Sequence, residues 1–262
     1  MKNITIILPI YKMDDDDAVM LANALSSIED FHNDIKLTVV APTNIKNDLT
    51  NFDFGQKLEV KLLENTTNST SFTSQVNLGI DDCDTEWFSI LEIDDEFKSV
   101  WLTSVNEYMK EYTDVDVFLP IVKDINDQGE FMTFTNESAW AYGFTEKQGF
   151  LDNEVLLEYQ NYQTSGGLYK TEVIKENGKF KDNIELTFGY EFLLRLTYNG
   201  VKIMITPRIG YQHTNLRENS LFWSYKHDEN QKLSEKDVKF WLETAKKEYF
   251  FKNKRDVNNV EA

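Results

Sequence analysis

The first part of the chain alternates between short apolar runs and longer segments in which apolar residues recur at helical spacing. The runs at 4–10, 36–41 and 58–63 are rich in β-branched residues or leucine, which predicts strands. The segments 14–31 and 71–80 carry apolar residues at i, i+3 and i+4 positions, which predicts helices. Strands that alternate with helices predict a doubly wound, mostly parallel α/β sheet.

A fourth apolar run, 87–96, ends in the acidic residues Glu92, Asp94, Asp95 and Glu96. Both faces of the run are largely apolar, as in a buried central strand, so its acids are expected at the carboxyl edge of the sheet. Carboxylates gathered there repel one another unless a cation lies among them, and oxygen ligands suit Mg²⁺ or Mn²⁺. The same pattern also fits an acid-rich turn open to water.

A second acidic run, Asp14 to Asp17, stands at the start of the first predicted helix. Acidic side chains in a first helical turn interact favourably with the helix dipole. The run therefore fits a solvated helix start better than the alternative, a metal site.

Composition and charge narrow the function classes. The chain has 262 residues and is 41% hydrophobic, which is enough for one large domain or a domain with an appendage. Its formal net charge of -18 argues against a nucleic-acid partner, because phosphate backbones require clustered basic residues. An anionic substrate would need a divalent ion, a helix N-terminus or a few placed cations.

The single cysteine, Cys83, cannot form an internal disulfide or complete a cysteine zinc site. The apolar stretch within 1–11 is too short for a signal peptide or a membrane span. Both features lead us to expect a reduced, cytoplasmic location.

Four motifs in order resemble family-2 glycosyltransferases of the GT-A fold. They are Ile6-Ile7-Leu8-Pro9-Ile10-Tyr11, Leu21-Ala22-Asn23-Ala24-Leu25-Ser26-Ser27-Ile28, Gln75-Val76-Asn77-Leu78-Gly79-Ile80 and Leu91-Glu92-Ile93-Asp94-Asp95. The resemblance implies a glycosyltransferase domain over 1–222, with a Rossmann-like nucleotide-sugar half (1–98) and an acceptor-side half (99–222). A C-terminal helical extension, 223–262, would follow.

The resemblance also implies a divalent cofactor, Mn²⁺ or Mg²⁺, and a set of site residues. Asp94 and Asp95 match the family's DXD motif, with Glu92 at its first acidic position, and His213 lies in a late loop similar to one found in relatives. The implied metal ligands are Asp94, Asp95 and His213. The implied donor-binding residues are Pro9, Tyr11, Thr43, Asn44, Asn77, Asp94 and Arg217.

The helix motif Phe188-Gly189-Tyr190-Glu191-Phe192-Leu193-Leu194-Arg195 is similar to the family segment that carries the catalytic base. By this resemblance Glu191 takes the proton from the acceptor hydroxyl in an inverting transfer. Tyr190 replaces the acidic residue that commonly precedes the base. A surface ion pair between Glu191 and Arg195, at i,i+4, is the alternative interpretation.

Acceptor contacts are expected in two places. Gly166 and Gly167 lie in a small-residue segment that resembles the acceptor side of the family, and Trp140 and Tyr142 belong to an aromatic-rich stretch, 124–163. Aromatic rings can stack on the apolar faces of sugars, so a glycan or another hydroxyl acceptor is expected. The same rings fit a protein core equally well.

One departure affects recognition of the nucleotide base. Where many relatives have an acidic pair after the second strand, this chain has Ala41-Pro42-Thr43-Asn44. Thr43 or Asn44 could bond a uracil edge, and a plain Pro-Thr-Asn turn is the alternative.

The C-terminal extension predicts one amphipathic helix. Ser234 and Asp237 suggest a capping box, and an apolar face follows, formed by Val238, Trp241, Leu242, Ala245 and Tyr249. With the basic residues that follow, this helix fits a membrane surface. Docking onto the domain or onto a second copy of the chain is the other interpretation.

Three functions from different classes are compatible with the sequence. The first is a metal-dependent hexosyltransferase of polysaccharide biosynthesis that uses a nucleotide sugar, expected to be a UDP-sugar. The second is a nucleotidyltransferase, although the chain has no glycine-rich phosphate loop after its first strand. The third is a catalytically silent carbohydrate-binding protein that keeps the fold.

Overall fold

The computed structural model describes residues 2–67, 69–184, 186–215, 217, 220, 223 and 234–248, with the backbone alone at 235 and 248. The strands are β1 (Ile4–Pro9), β2 (Ile35–Pro42), β3 (Val60–Asn65), β4 (Trp87–Ile90), β5 (Glu96–Phe97), β6 (Val117–Ile125), β7 (Phe131–Thr135), β8 (Phe150–Leu151), β9 (Leu168–Lys170) and β10 (Ile203–Thr214). The helices are α1 (Asp15–Ile28), α2 (Thr43–Leu49), α3 (Phe72–Asp82), α4 (Trp101–Glu111), α5 (Asn153–Glu158), α6 (Thr171–Glu176), α7 (Phe188–Tyr198) and α8 (Glu235–Glu248). Short 3-10 turns cover Glu29–Phe31 and Glu137–Trp140.

All of these strands belong to one sheet, whose main path runs β3-β2-β1-β4-β9-β6-β10-β5. The first four are parallel, and so are β6 and β10. Strand β9 is antiparallel to both of its neighbours and joins the two parallel groups. The carboxyl ends of β1, β2, β4, β6 and β10 therefore open toward one edge of the sheet, the edge at which α/β proteins bind ligands.

Helices cover both faces of the sheet, which gives two hydrophobic cores. Along β1, Ile6 and Leu8 enter the core that α1, α2 and α4 cover, whereas Ile7 enters the core that α3, α5, α6 and α7 cover. This follows from the alternation of side chains along a strand. The predicted doubly wound α/β architecture is confirmed.

Two local features differ from the sequence-based expectations. Residues 43–49, interpreted as beginning with a plain turn, form helix α2. In the Asp14–Asp17 run, Asp17 is buried and not solvated, because its carboxylate accepts the Asp14 backbone N–H while Asp14 accepts the N–H of Asp17. This reciprocal capping box turns Asp17 inward while Asp15 and Asp16 remain exposed.

Helix α8 docks onto helix α7. Ala245 is buried in the core beneath α7, and Leu242 packs against the same core. Ser234 donates its hydroxyl to Asp237 at the helix start, at the residues where the capping box was predicted. Tyr249 and the basic residues beyond it lie outside the described residues. Among the helices that the structure describes, none has the length and apolar character needed to cross a bilayer.

Candidate functional site

A cavity of about 400 Å³ opens at the carboxyl edge of the sheet. Pro9 and Tyr11 contribute from the end of β1, and Glu92 and Asp94 from the loop after β4. Further walls come from β6, β7, β10, α3, α7 and the segment before β9. Its volume lies within the range of small-molecule sites.

The acidic loop begins where β4 stops. Strand β4 ends at Ile90, and the backbone N–H of Leu91 still reaches back to the carbonyl of Ile7 on β1. After that point the chain leaves the sheet, so Glu92, Asp94 and Asp95 can point to different sides of a turn. Asp95 is buried beneath the cavity, whereas Glu92 and Asp94 line it.

Glu92, Asp95 and His213 come together as a group that could hold a metal ion. One ligand atom from each lies within 4.8 Å of the others. The His213 Nδ1 is 3.0 Å from a carboxylate oxygen of Asp95, and the backbone N–H of Thr214 donates to Asp95 at 2.8 Å. Two carboxylates and one imidazole suit Mn²⁺ or Mg²⁺, so the residues present fit the implied ion. We call this group the acid–histidine cluster. The resemblance implied Asp94 as the third ligand, and the structure brings Glu92 to Asp95 and His213 in its place.

Glu92 and His213 of the acid–histidine cluster have strongly shifted pKa values. Burial, and then the charge of Asp95, raises the pKa of Glu92 to about 7. Burial opposes protonation of His213, but the neighbouring carboxylates, with Asp95 first among them, together outweigh it and raise the pKa of His213 to about 10. The pKa of Asp94 is also raised, first by burial and then by Asp95. Acidic side chains are thus crowded together here, an arrangement that a divalent cation would relieve.

Arg217 lines the cavity and contacts three parts of the chain. Its Nε donates to the Asp94 carboxylate at 2.7 Å, and its Nη2 donates to the Tyr11 hydroxyl at 3.3 Å. The Nη1 atom is 3.6 Å from the buried Asp17 carboxylate. The guanidinium therefore stands next to the acid–histidine cluster, where it can also meet an anionic ligand.

The glycines predicted at the acceptor side lie behind the acidic loop. Gly166 has φ of +75°, and a Cβ there would lie 2.5 Å from Cγ of Tyr211. The Tyr211 hydroxyl accepts the backbone N–H of Glu92, and Ser165 donates its hydroxyl to the Glu92 carboxylate at 2.6 Å. Neither Gly166 nor Gly167 lines the cavity. The turn supports the acidic loop from behind.

Three of the predicted donor-binding residues lie apart from the lining of the cavity. Thr43 donates its hydroxyl to Glu64, at the end of β3, and Asn44 is exposed on α2. Asn77 is buried and bonds the backbone of Phe180 in both directions, at 2.8 and 3.0 Å. The other predicted donor residues, Pro9, Tyr11, Asp94 and Arg217, do line the cavity.

Glu191 is fully buried on α7 and does not line the cavity. Its carboxylate accepts from Nε and Nη2 of Arg195, at 2.9 and 3.1 Å, and lies 3.0 Å from Nζ of Lys181. Arg195 also donates to the carbonyls of residues 177, 178 and 179. The pair at i,i+4 thus fastens the loop after α6 to α7.

The aromatic residues predicted for the acceptor also lie elsewhere. Trp140 donates its indole N–H to the carbonyl of Ile205, and Tyr142 is 99% exposed. The aromatic side chains that line the cavity are Phe72, Tyr162 and Phe188, in addition to Tyr11. Of these four, only Tyr162 belongs to the aromatic-rich stretch 124–163.

Asp124 and Gln75 are among the cavity residues that the sequence patterns did not indicate. Asp124 lies beside His213 in the register between β6 and β10, and accepts the Thr135 hydroxyl at 2.5 Å. Gln75 faces the cavity from α3. Asp124 has no local motif, and only the sheet register brings it to the site. Gln75 begins the motif at 75–80, whose pattern predicts a helix and does not indicate that this side chain lines a cavity.

Comparisons with solved structures give strong similarities in fold. The structure of S. aureus TarS 1-349 in complex with UDP-GlcNAc matches with a TM-score of 0.64 and 16% identity, over 93% of this chain and 66% of that one. The longer S. aureus TarS structure matches with a TM-score of 0.60 and 16% identity, over 99% of this chain and 46% of that one. The mannosyltransferase PcManGT from Pyrobaculum calidifontis, in complex with GDP-Man and Mn²⁺, matches with a TM-score of 0.61 and 12% identity. The match covers 86% of this chain and 60% of that one.

These matches show that the chain has the GT-A fold of those glycosyltransferases, as the sequence motifs predicted. The chain spans less than two thirds of the first of these structures and about half of the longer TarS structure. Comparison with protein-family models gives no match, and comparison with the sequences of curated proteins gives none either.

Proposed function

We propose that the protein is a metal-dependent glycosyltransferase that binds a nucleotide sugar in the cavity and transfers the sugar to a hydroxyl acceptor. The observation that carries the proposal is the acid–histidine cluster at the floor of a ligand-sized cavity, at the carboxyl edge of this sheet. Structures with the same fold are described as complexes with UDP-GlcNAc or with GDP-Man and Mn²⁺.

Some residues of the site would bind the metal ion, and others would bind the nucleotide-sugar donor. Glu92, Asp95 and His213 would hold Mn²⁺ or Mg²⁺, and the bound ion would neutralise charge on the leaving diphosphate. Asp94, predicted as a metal and donor ligand, would act on the donor by positioning Arg217, whose guanidinium would bind the diphosphate. Pro9 and Tyr11 would meet the nucleoside, since they end the central strand β1 at this edge.

The finer parts of the proposal rest on the family resemblance. A UDP-sugar donor, inversion at the anomeric carbon, a glycan acceptor, a place in polysaccharide biosynthesis and proton abstraction by Glu191 stay predictions. So do acceptor contacts of Trp140, Tyr142, Gly166 and Gly167, and an association of the C-terminal helix with a membrane or a second copy. For Glu191, the ion pair with Arg195 supports the alternative structural role.

The proposal is tested by titrating the protein with UDP-GlcNAc, UDP-glucose and GDP-mannose in the presence and absence of Mn²⁺, using calorimetry and thermal unfolding. A ligand that binds the native state at 100 times its Kd adds about 2.7 kcal/mol of stability. We expect Mn²⁺-dependent binding of at least one donor, and loss of it in Asp95→Asn. The control is Asp84→Asn, which changes an aspartate paired with Lys36 and 71% exposed.

Each alternative has its own result. Release of pyrophosphate from a nucleoside triphosphate would favour a nucleotidyltransferase. Binding of glycans without affinity for any nucleotide sugar would favour a silent carbohydrate-binding protein. Donor binding that Asp95→Asn leaves intact would refute the assignment of the metal site.

A further inference from the structure

One buried side chain of the cavity has hydrogen-bonding capacity that the protein does not use. Gln75 is 0% exposed and lines the cavity, and neither its amide nitrogen nor its amide oxygen has a partner in the part of the chain that the structure describes. Most buried polar side chains are hydrogen-bonded, and an unpaired buried amide is destabilising. Of the described side chains with unpaired buried polar atoms, Gln75 is the one that lines the cavity.

The helix that carries Gln75 is held firmly in place. Val76 and Ile80 enter the second core, and a Cβ at Gly79 would lie 2.5 Å from Cγ2 of Ile7, so α3 approaches β1 closely. Asn77 ties the same helix to the backbone of Phe180. The helix therefore cannot shift easily to give the Gln75 amide a partner within the protein, and Gln75 stays at the cavity wall.

The surroundings of Gln75 are apolar on one side. Phe72, one turn earlier on α3, stacks on Phe188 with 5.1 Å between ring centroids, and both rings line the cavity. These rings offer no strong hydrogen-bonding group. A ligand that reaches this wall would meet aromatic faces and an amide that can both donate and accept.

We propose that Gln75 is a specificity-determining residue that bonds the nucleotide sugar through a ligand group that offers a donor and an acceptor side by side. Two parts of such a ligand have this chemistry, a pair of sugar hydroxyls and the imide edge of a uracil-type base. The inference deepens the proposed function and rests on it. It assigns to the amide a role in recognition and none in the transfer step.

The test compares wild type with Gln75→Met, which keeps the length of the side chain and removes the amide. Gln128→Met, at an exposed hairpin position, is the matched control. Binding of UDP-GlcNAc, UDP, GDP-mannose and GDP is measured calorimetrically with Mn²⁺ present, and thermal unfolding is measured without ligand. We expect Gln75→Met to weaken binding by roughly 10- to 100-fold, as loss of two hydrogen bonds predicts. Its ligand-free Tm should be equal to or above that of wild type, because an unpaired buried amide has been removed.

The outcomes are distinct. Weaker binding of UDP-GlcNAc with unchanged binding of UDP assigns the contact to the sugar, and equal weakening of both assigns it to the nucleotide. Affinities within twofold of wild type for every ligand overturn the inference and leave the proposed function standing. If wild type binds no nucleotide sugar, the proposed function fails and the inference fails with it. Gln75→Leu serves as a second variant if Gln75→Met unfolds.

Discussion

Replacing Gly166 by alanine tests how the acidic loop is supported. Gly166 has φ of +75°, and a non-glycine residue in this left-handed region is destabilised by about 1–2 kcal/mol. The added methyl would also lie 2.5 Å from Cγ and 2.8 Å from Cβ of Tyr211, a fully buried side chain, and overpacking of this kind costs about 1–3 kcal/mol. Together the two effects amount to roughly 2–5 kcal/mol.

The assay is thermal unfolding followed by circular dichroism, with Gly143→Ala as the matched control. Gly143 has φ of +74°, and its added Cβ would meet nothing within 4 Å, so the control carries the backbone strain alone. At roughly 2–4 °C per kcal/mol for a chain of this size, we expect Gly166→Ala to lower Tm by roughly 5–15 °C, and by several degrees more than Gly143→Ala.

The same variant should also disturb the metal site. Tyr211 cannot yield to the new methyl without moving its hydroxyl, which accepts the backbone N–H of Glu92 at 3.1 Å. Loss of such an outer contact typically weakens metal binding by roughly 10- to 100-fold, so Mn²⁺ titration should show this loss in Gly166→Ala alone. Equal Tm values for the two variants would refute the packing argument, and wild-type Mn²⁺ affinity in Gly166→Ala would refute the link to the acidic loop.

Two further predictions concern α7 and α8. Glu191→Gln removes the buried counter-charge of Arg195 and Lys181 and should lower the free energy of unfolding by roughly 3 kcal/mol. The control, Glu172→Gln, changes an exposed pair with Lys175 and should alter the free energy of unfolding by less than about 0.5 kcal/mol. Loss of transfer in a Glu191→Gln protein of wild-type stability would instead support the base role. Ala245→Arg should release α8 from α7 and increase the amide hydrogen exchange of α8. The control, Thr244→Arg, lies on the exposed side of α8 and should leave the exchange unchanged. If the amides of α8 stay protected in Ala245→Arg, the docking of α8 is contradicted.

The doubly wound architecture could be predicted because its signals are local. Strand β1 and helix α1 each carry their own hydrophobic period and boundary residues, and such patterns are present in a short window of sequence. The acidic loop after β4 was located by the same kind of signal. Helix α2 was missed because its seven residues follow a proline and give too short a period to recognise.

The sequence by itself determined the alternation of strands and helices in the first part of the chain, the edge at which the acids gather, and the resemblance to the GT-A fold. Only the tertiary structure decided which acids meet. Glu92 and Asp95 lie next to His213, which is 118 residues after Asp95 in the sequence. Asp94 bonds Arg217 instead. The tertiary structure also decided that Glu191 pairs with Arg195 and does not line the cavity, and that Gln75 does line it. The physical reason is that strand register and helix packing set these contacts, and both depend on residues distant in sequence.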